Sequence, residues 1–139
     1  PLSPLPTRDA ALPAVSALAG AVGQSASLSE MVGRLPSRFS DAQLTRGVSP
    51  ETGRRIMETL LGRGHDLLEK MFGGTCGTVT STDDTDGYRI NFSSGDIVHF
   101  RPSGNAPEFR CYTESDSREK AAKLARQGIE WVRGFAIDD

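Results

Sequence analysis

The chain has 139 residues, 37% of them apolar and 24% charged, with a net charge of −2 at pH 7. That length suits about one domain with a modest core, and nothing in the balance demands disorder or a fibre. The acidic sum argues against a nucleic-acid platform, which needs a basic surface, yet a local anion site needs only a few placed arginines. No apolar run reaches the roughly 18 residues of a membrane span. No basic start followed by an apolar stretch reads as a signal peptide, so the expected compartment is the cytoplasm. Cys76 and Cys111 match no metal-ligand spacing and read as two reduced thiols.

The first residues, Pro-Leu-Ser-Pro-Leu-Pro, lack an initiating Met and read as the start of a piece of a longer protein. Thr7 and Asp9 are candidate caps for a helix running to about Val22. Leu12, Val15, Leu18, Ala19 and Val22 share one face of it. Ser27 and Glu30 have capping-box spacing and open a second short helix that stops at Pro36. Residues 39–48 show mixed alternation and are assigned as a strand. Ser49-Pro50 then starts a longer helix, Ser as cap and Pro at the first helical position. Ile56, Leu60, Leu61, Leu67, Leu68 and Met71 make its interrupted apolar face. Gly62 and Gly64 are expected to divide it, and Gly73, Gly74 and Gly77 to end it.

A turn over residues 83–87 leads to a strand in which Tyr88, Ile90 and Phe92 alternate with Arg89 and Asn91. Ser93-Ser94-Gly95 turns the chain into a second strand, Asp96 to Arg101, with Val98 and Phe100 on one side. In a third strand Phe109, Cys111 and Thr113 alternate with Arg110, Tyr112 and Glu114. Asp116 or Ser117 caps a last helix whose face is Ala121, Leu124, Ala125, Gly128, Ile129 and Val132, with Trp131 beside it. The pattern predicts an α+β fold: a two-layer sandwich with a mainly antiparallel sheet of about four strands and helices on one face.

The chemistry concentrates between Arg101 and Arg110. If the two flanking strands pair as a hairpin, both arginines return to one place, with Ser103, Gly104 and Asn105 between them. A guanidinium fork matches phosphate with two parallel hydrogen bonds. Gly104 lets backbone N–H groups come close to an anion, and Pro102 and Pro107 stiffen the loop. Spacing and chemistry alone leave an anion cradle and a plain exposed hairpin loop equally open. Asp83, Asp84 and Asp86 read as a solvated turn rather than a metal site. His65 and His99 are lone histidines. His99 shares a strand face with Arg101 and could sit at the rim of the site, but an ordinary sheet-surface histidine is the simpler reading.

Read as F-R-P-S-G-N-A-P-E-F-R-C-Y-T-E, residues 100–114 resemble the phosphate-binding loop of the α-D-phosphohexomutase family. That family usually shows R-P-S-G-T-E-P and a second arginine nine positions after the first, the spacing of Arg101 and Arg110. Asp86-Gly87-Tyr88-Arg89-Ile90 looks like the family's entry into the preceding strand. Leu5 to Ala10 resembles a stretch near the end of the domain before it. Asn105 and Ala106 stand where Thr and Glu are common. Asn keeps a hydrogen-bonding side chain, whereas Ala106 removes a carboxylate and any contact made through it.

The resemblance implies a TATA-binding-protein-like C-terminal domain over residues 37–139, with residues 1–36 a helical tail of the preceding domain and a linker. It implies an enzyme moving a phosphoryl group between the 1- and 6-positions of a hexose phosphate, with mannose phosphates as substrates or, alternatively, glucose or glucosamine phosphates; the alternative from another class is a stand-alone anion- or phosphosugar-binding module. Arg101, Ser103, Gly104, Asn105 and Arg110 would bind the phosphate that is not reacting. The family's phosphoserine, Mg²⁺ loop and sugar loop have no counterpart in this sequence. Mg²⁺ is therefore expected outside this chain, no catalytic residue within it, and binding without turnover.

Overall fold

A computed structural model describes residues 10–136. The chain divides into two units, Pro1–Ser37 and Arg38–Asp139. In the first, α1 spans Ala11–Gly23 and α2 spans Leu28–Gly33. Thr7 and Asp9 lie outside the described residues, and the observed N-cap of α1 is Ala10, which makes no side-chain cap bond. The Ser27–Glu30 capping box forms as expected: Ser27 N–H donates to Glu30 Oε2 (2.7 Å), and Glu30 N–H donates to Ser27 Oγ (3.2 Å). Those bonds hold the Glu30 carboxyl below its ordinary pKa. The apolar face expected on α1 is not covered by α2, for Leu12, Val15, Leu18 and Val22 are 40–80% exposed and Ala21 is the buried position. A six-residue partner is too short to hide a thirteen-residue helix.

The second unit runs β1 (Phe39–Arg46), α3 (Pro50–Cys76), β2 (Val79–Asp83), β3 (Tyr88–Phe92), β4 (Ile97–Pro102), β5 (Glu108–Ser115) and α4 (Arg118–Ala136). The fold is α+β, and all sheet pairings are antiparallel in the order β1-β5-β4-β3-β2. The sheet has five strands where the sequence suggested about four. The added one, β2, is a polar edge strand in which only Val79 is partly covered, so no apolar alternation marks it. The alternation read for β3, β4 and β5 holds: Tyr88, Ile90, Phe92, Val98, Phe100, Phe109, Cys111 and Thr113 are all buried.

These residues meet Ile56, Leu60, Leu68 and Phe72 of α3 and Leu124, Ile129 and Val132 of α4 in one core. Each such side chain contributes about 1.5–3 kcal/mol on burial. Phe100 is at its centre, with the rings of Phe72, Phe109 and Trp131 at 6.3, 6.5 and 6.0 Å. Gly128 lets α4 approach closely, since a Cβ there would lie 2.6 Å from Cys111 Sγ.

Ser49 caps α3 by accepting from Thr52 N–H at 3.0 Å. The division expected around Gly62 and Gly64 falls at Gly64 (φ 51°, ψ −143°), while Gly62 stays helical. Asp96 is not a strand residue. It closes the β3–β4 turn at 1% exposure, accepting from Lys120 Nζ (2.7 Å), Ser115 Oγ (2.6 Å) and Ser94 Oγ. Among the described residues, no helix is long and apolar enough to cross a membrane.

Candidate functional site

The β4–β5 hairpin forms, and its register makes Arg101 and Arg110 direct partners. Both side chains stand on the sheet face opposite the helices, because Phe100, Phe109 and Cys111 alternate with them toward the core. Beyond the pair, Ser103 N–H donates to Glu108 O (2.9 Å) and Glu108 N–H to Ala106 O (2.7 Å), which closes the loop tightly. Pro107 O accepts from Gly47 N–H (2.8 Å) and Val48 N–H (3.2 Å), tying the loop to the connection that launches α3. The loop is thus held at both ends by main-chain bonds.

Arg101, Ser103, Gly104, Asn105 and Arg110, with Pro102 and Ala106, line a cavity of about 180 Å³. All five expected site residues therefore converge. Asn105 N–H points at Ser103 Oγ (3.4 Å), while the amides of Gly104 and Ala106 make no hydrogen bond among the described residues. Gly104 has an ordinary backbone, and a Cβ on it would meet nothing within 4 Å. The chain's own folding does not demand glycine there, so the space it leaves is available to a ligand.

Two like charges facing each other across a pairing destabilise a sheet, and carboxylates answer both. Asp86 Oδ1 lies 3.1 Å from Arg101 Nε, and Glu108 Oε2 lies 3.3 Å from Arg110 Nη2. Glu108 also meets Arg46 Nε of β1 at 3.4 Å. Three guanidiniums thus share two carboxylates, leaving net positive charge around the cavity. Arg110 Nη1 donates to Tyr112 Oη (3.4 Å), and this bond together with Glu108 holds Arg110 still more firmly in its charged form. Its Nε is buried without a partner.

Sequence reasoning named five of the lining residues and singled out His99 on the Arg101 strand face, but missed the groups that hold the arginines: Asp86, Glu108 and Tyr112. For Glu108 and Tyr112 a signal existed, since both sit two residues from Arg110 on the same strand face. Asp86 comes from another hairpin, so only the register of β3 on β4 brings it near. Asp83 and Asp86 are engaged elsewhere than with a metal. Asp83 Oδ1 accepts from Thr85 N–H (2.8 Å), which lowers its pKa, and Asp86 pairs with Arg101. Among the described residues no group of three or more His, Cys, Asp or Glu could hold a metal ion.

The chain is 40% identical over 132 residues to a phosphomannomutase of Salmonella muenchen, covering 95% of this chain and 27% of that protein. It is 39% identical over 130 residues to a phosphomannomutase of Sinorhizobium fredii, covering 92% of this chain and again 27% of the relative. It thus spans about a quarter of the length of these curated relatives. The family model described as phosphoglucomutase/phosphomannomutase, C-terminal domain, matches residues 48–130, which take in α3 through most of α4 and the whole Arg101–Arg110 loop. The chain belongs to the phosphoglucomutase/phosphomannomutase family of phosphohexomutases, through that family's C-terminal domain.

Proposed function

We propose that this chain is the C-terminal part of a phosphomannomutase and that the Arg101–Arg110 cavity grips the non-reacting phosphate of a hexose phosphate. The observation that carries the reading is the register pair: two guanidiniums face each other over a small cavity with two unengaged backbone amides. Arg101 and Arg110 supply charge-assisted bonds. Ser103 Oγ, the Gly104 and Ala106 amides and the Asn105 side chain complete the cradle. The names of the two relatives support mannose over glucose or glucosamine phosphates.

Phosphoryl transfer asks the protein mainly for positioning and charge stabilisation. Held by its phosphate, the sugar presents its opposite end to the rest of the enzyme. That transfer between the 1- and 6-positions uses a phosphoserine and Mg²⁺ carried elsewhere in the full-length protein. No step on this chain runs through a metal. By itself the chain binds and does not turn over. Residues 1–36 serve as the helical tail of the preceding domain and a linker, and residues 37–139 as the phosphate-binding domain. The exposed apolar face of α1 supports that division. The enzyme works in the cytoplasm, in keeping with two free buried thiols.

The test is to titrate inorganic phosphate and mannose 6-phosphate into the 139-residue chain while following amide signals. Shifts confined to residues 102–106 with a dissociation constant of about 1 mM are expected, because only one wall of the full site is present. Saturating phosphate without a response in that loop would sink the reading.

A further inference from the structure

His99 lies two residues before Arg101 on β4, on the same open sheet face, and pairs directly across from Tyr112. An ordinary sheet-surface histidine would turn its ring nitrogens to water. Here Nε2 lies 2.6 Å from the backbone oxygen of Asp86. A carbonyl only accepts, so His99 donates, which fixes the proton on Nε2. The residue whose main chain it holds is the one whose carboxylate holds Arg101 Nε.

The turn carrying Asp86 is also pressed down onto β4. Gly87 has φ +89°, and a Cβ there would collide with the Phe100 carbonyl oxygen and stand 3.0 Å from His99 Nε2 and 3.2 Å from Arg101 Cα. The His99 ring also lies tilted against Tyr112 (centroids 5.8 Å apart, 34° between planes). Tyr112 Oη in turn accepts from Arg110 Nη1 at 3.4 Å. One imidazole therefore touches both supports, Asp86 for Arg101 and Tyr112 for Arg110.

We infer that His99 is a positioning residue of the phosphate site, setting the two arginines at once through its hydrogen bond to Asp86 and its ring contact with Tyr112. The inference rests on the function proposed above. Its value to binding is preorganisation: guanidiniums already aimed lose less rotamer freedom when phosphate arrives.

Two variants of the full 139-residue chain separate the halves of this role. His99→Phe keeps a ring on Tyr112 and removes the donor. His99→Gln places an amide N–H near the former Nε2 and removes the ring. Two readouts are used: water exchange of the Arg101 Nε–H, which needs no ligand, and the dissociation constant for inorganic phosphate. His99→Phe should speed the exchange and weaken phosphate about fivefold, the scale of one lost hydrogen bond. His99→Gln should restore the wild-type exchange at Arg101 but, without the ring against Tyr112, leave phosphate about twofold weaker than wild type. Unchanged exchange and affinity in His99→Phe, with wild type binding phosphate, would overturn the positioning role and leave the phosphate site standing. If wild type binds no phosphate while exchange still responds to His99→Phe, the function itself is overturned, and with it the role of His99 in it.

Discussion

Arg101 and Arg110 are register partners on adjacent antiparallel strands, and each is tied to a carboxylate from a different place: Asp86 of the β2–β3 turn and Glu108 of β5 itself. A sheet tolerates this pairing because neither cation is left alone. Neither carboxylate neutralises its partner completely, for Asp86 engages only Nε of Arg101 and Arg46 competes for Glu108. The result is a loop base that stays cationic and stays in place.

Arg101→Ala should weaken phosphate binding by about tenfold or more, the worth of a charge-assisted hydrogen bond. The fold should persist, because the side chain is on the open sheet face and nearly half exposed (45%). Arg101→Lys should recover only part of the loss, since a point charge cannot reproduce the planar fork. In the full-length mutase proposed above, the corresponding expectation is a fall in kcat/KM with Tm unchanged. An alanine variant that binds phosphate as tightly as wild type would remove Arg101 from the site.

Replacing Asp96 by Asn should destabilise the domain by about 3 kcal/mol in urea unfolding at pH 7, because Lys120 would face an uncharged buried partner. The pH dependence has a definite sign. Burial pushes the Asp96 pKa up, but bonds from Lys120, Ser115 and Ser94 outweigh it and hold it below the ordinary value. This contribution is present above about pH 4 and is lost as pH falls through the lower folded value. Lys120 is raised, chiefly by its bond to Asp96, so its contribution holds below 10.5 and fades as pH rises through the higher folded value. The variant should show a shallower loss at acid pH; the same acid slope in wild type and variant would count against the pair.

Four glycine substitutions should go in different directions. Gly62→Ala, helical and with open space at the Cβ, should stabilise α3 by about 0.5–1 kcal/mol. Gly64→Ala should cost about 1–2 kcal/mol because φ is +51° there. Gly128→Ala gains the same helix propensity as Gly62→Ala. It also drives a methyl into Cys111 and Phe100, so overpacking of about 1–3 kcal/mol wins. Gly87→Ala should reduce phosphate affinity as well as stability, since the turn it loosens carries Asp86. Thermal denaturation of the four proteins, with a phosphate titration of the last, checks the signs.

Cys76 and Cys111 should resist thiol reagents at pH 8 until the domain unfolds. Burial pushes both pKa values up to about 12, with Asp96 adding to the effect at Cys76 and Asp41 at Cys111. The thiolate fraction at pH 8 is then about one in ten thousand. Labelling of either residue at the rate of a free thiol in native buffer would contradict its buried placement.

Much of this protein was legible in local pattern. The period-two alternation of Tyr88 to Phe92 and Phe109 to Thr113, the three-and-four spacing in α4 and the caps at Ser27, Ser49 and Ser117 all appear where the side-chain chemistry puts them. Such signals survive because each depends on neighbours in sequence. The polar edge strand β2 escaped because an edge strand need not bury anything, and the burial of Asp96 escaped because its partners Ser115 and Lys120 lie far along the chain.

The same division runs through the site. By itself the sequence determined which groups could bind an anion, since Arg101, Ser103, Gly104, Asn105 and Arg110 lie within one hairpin and their chemistry is a local property. Only the tertiary structure decided that the arginines are exact register partners, which carboxylate holds each, and that His99 reaches the main chain of Asp86. Those relationships depend on how β3, β4 and β5 register against one another, and register is set by burying Phe92, Phe100 and Phe109 together under α3 and α4.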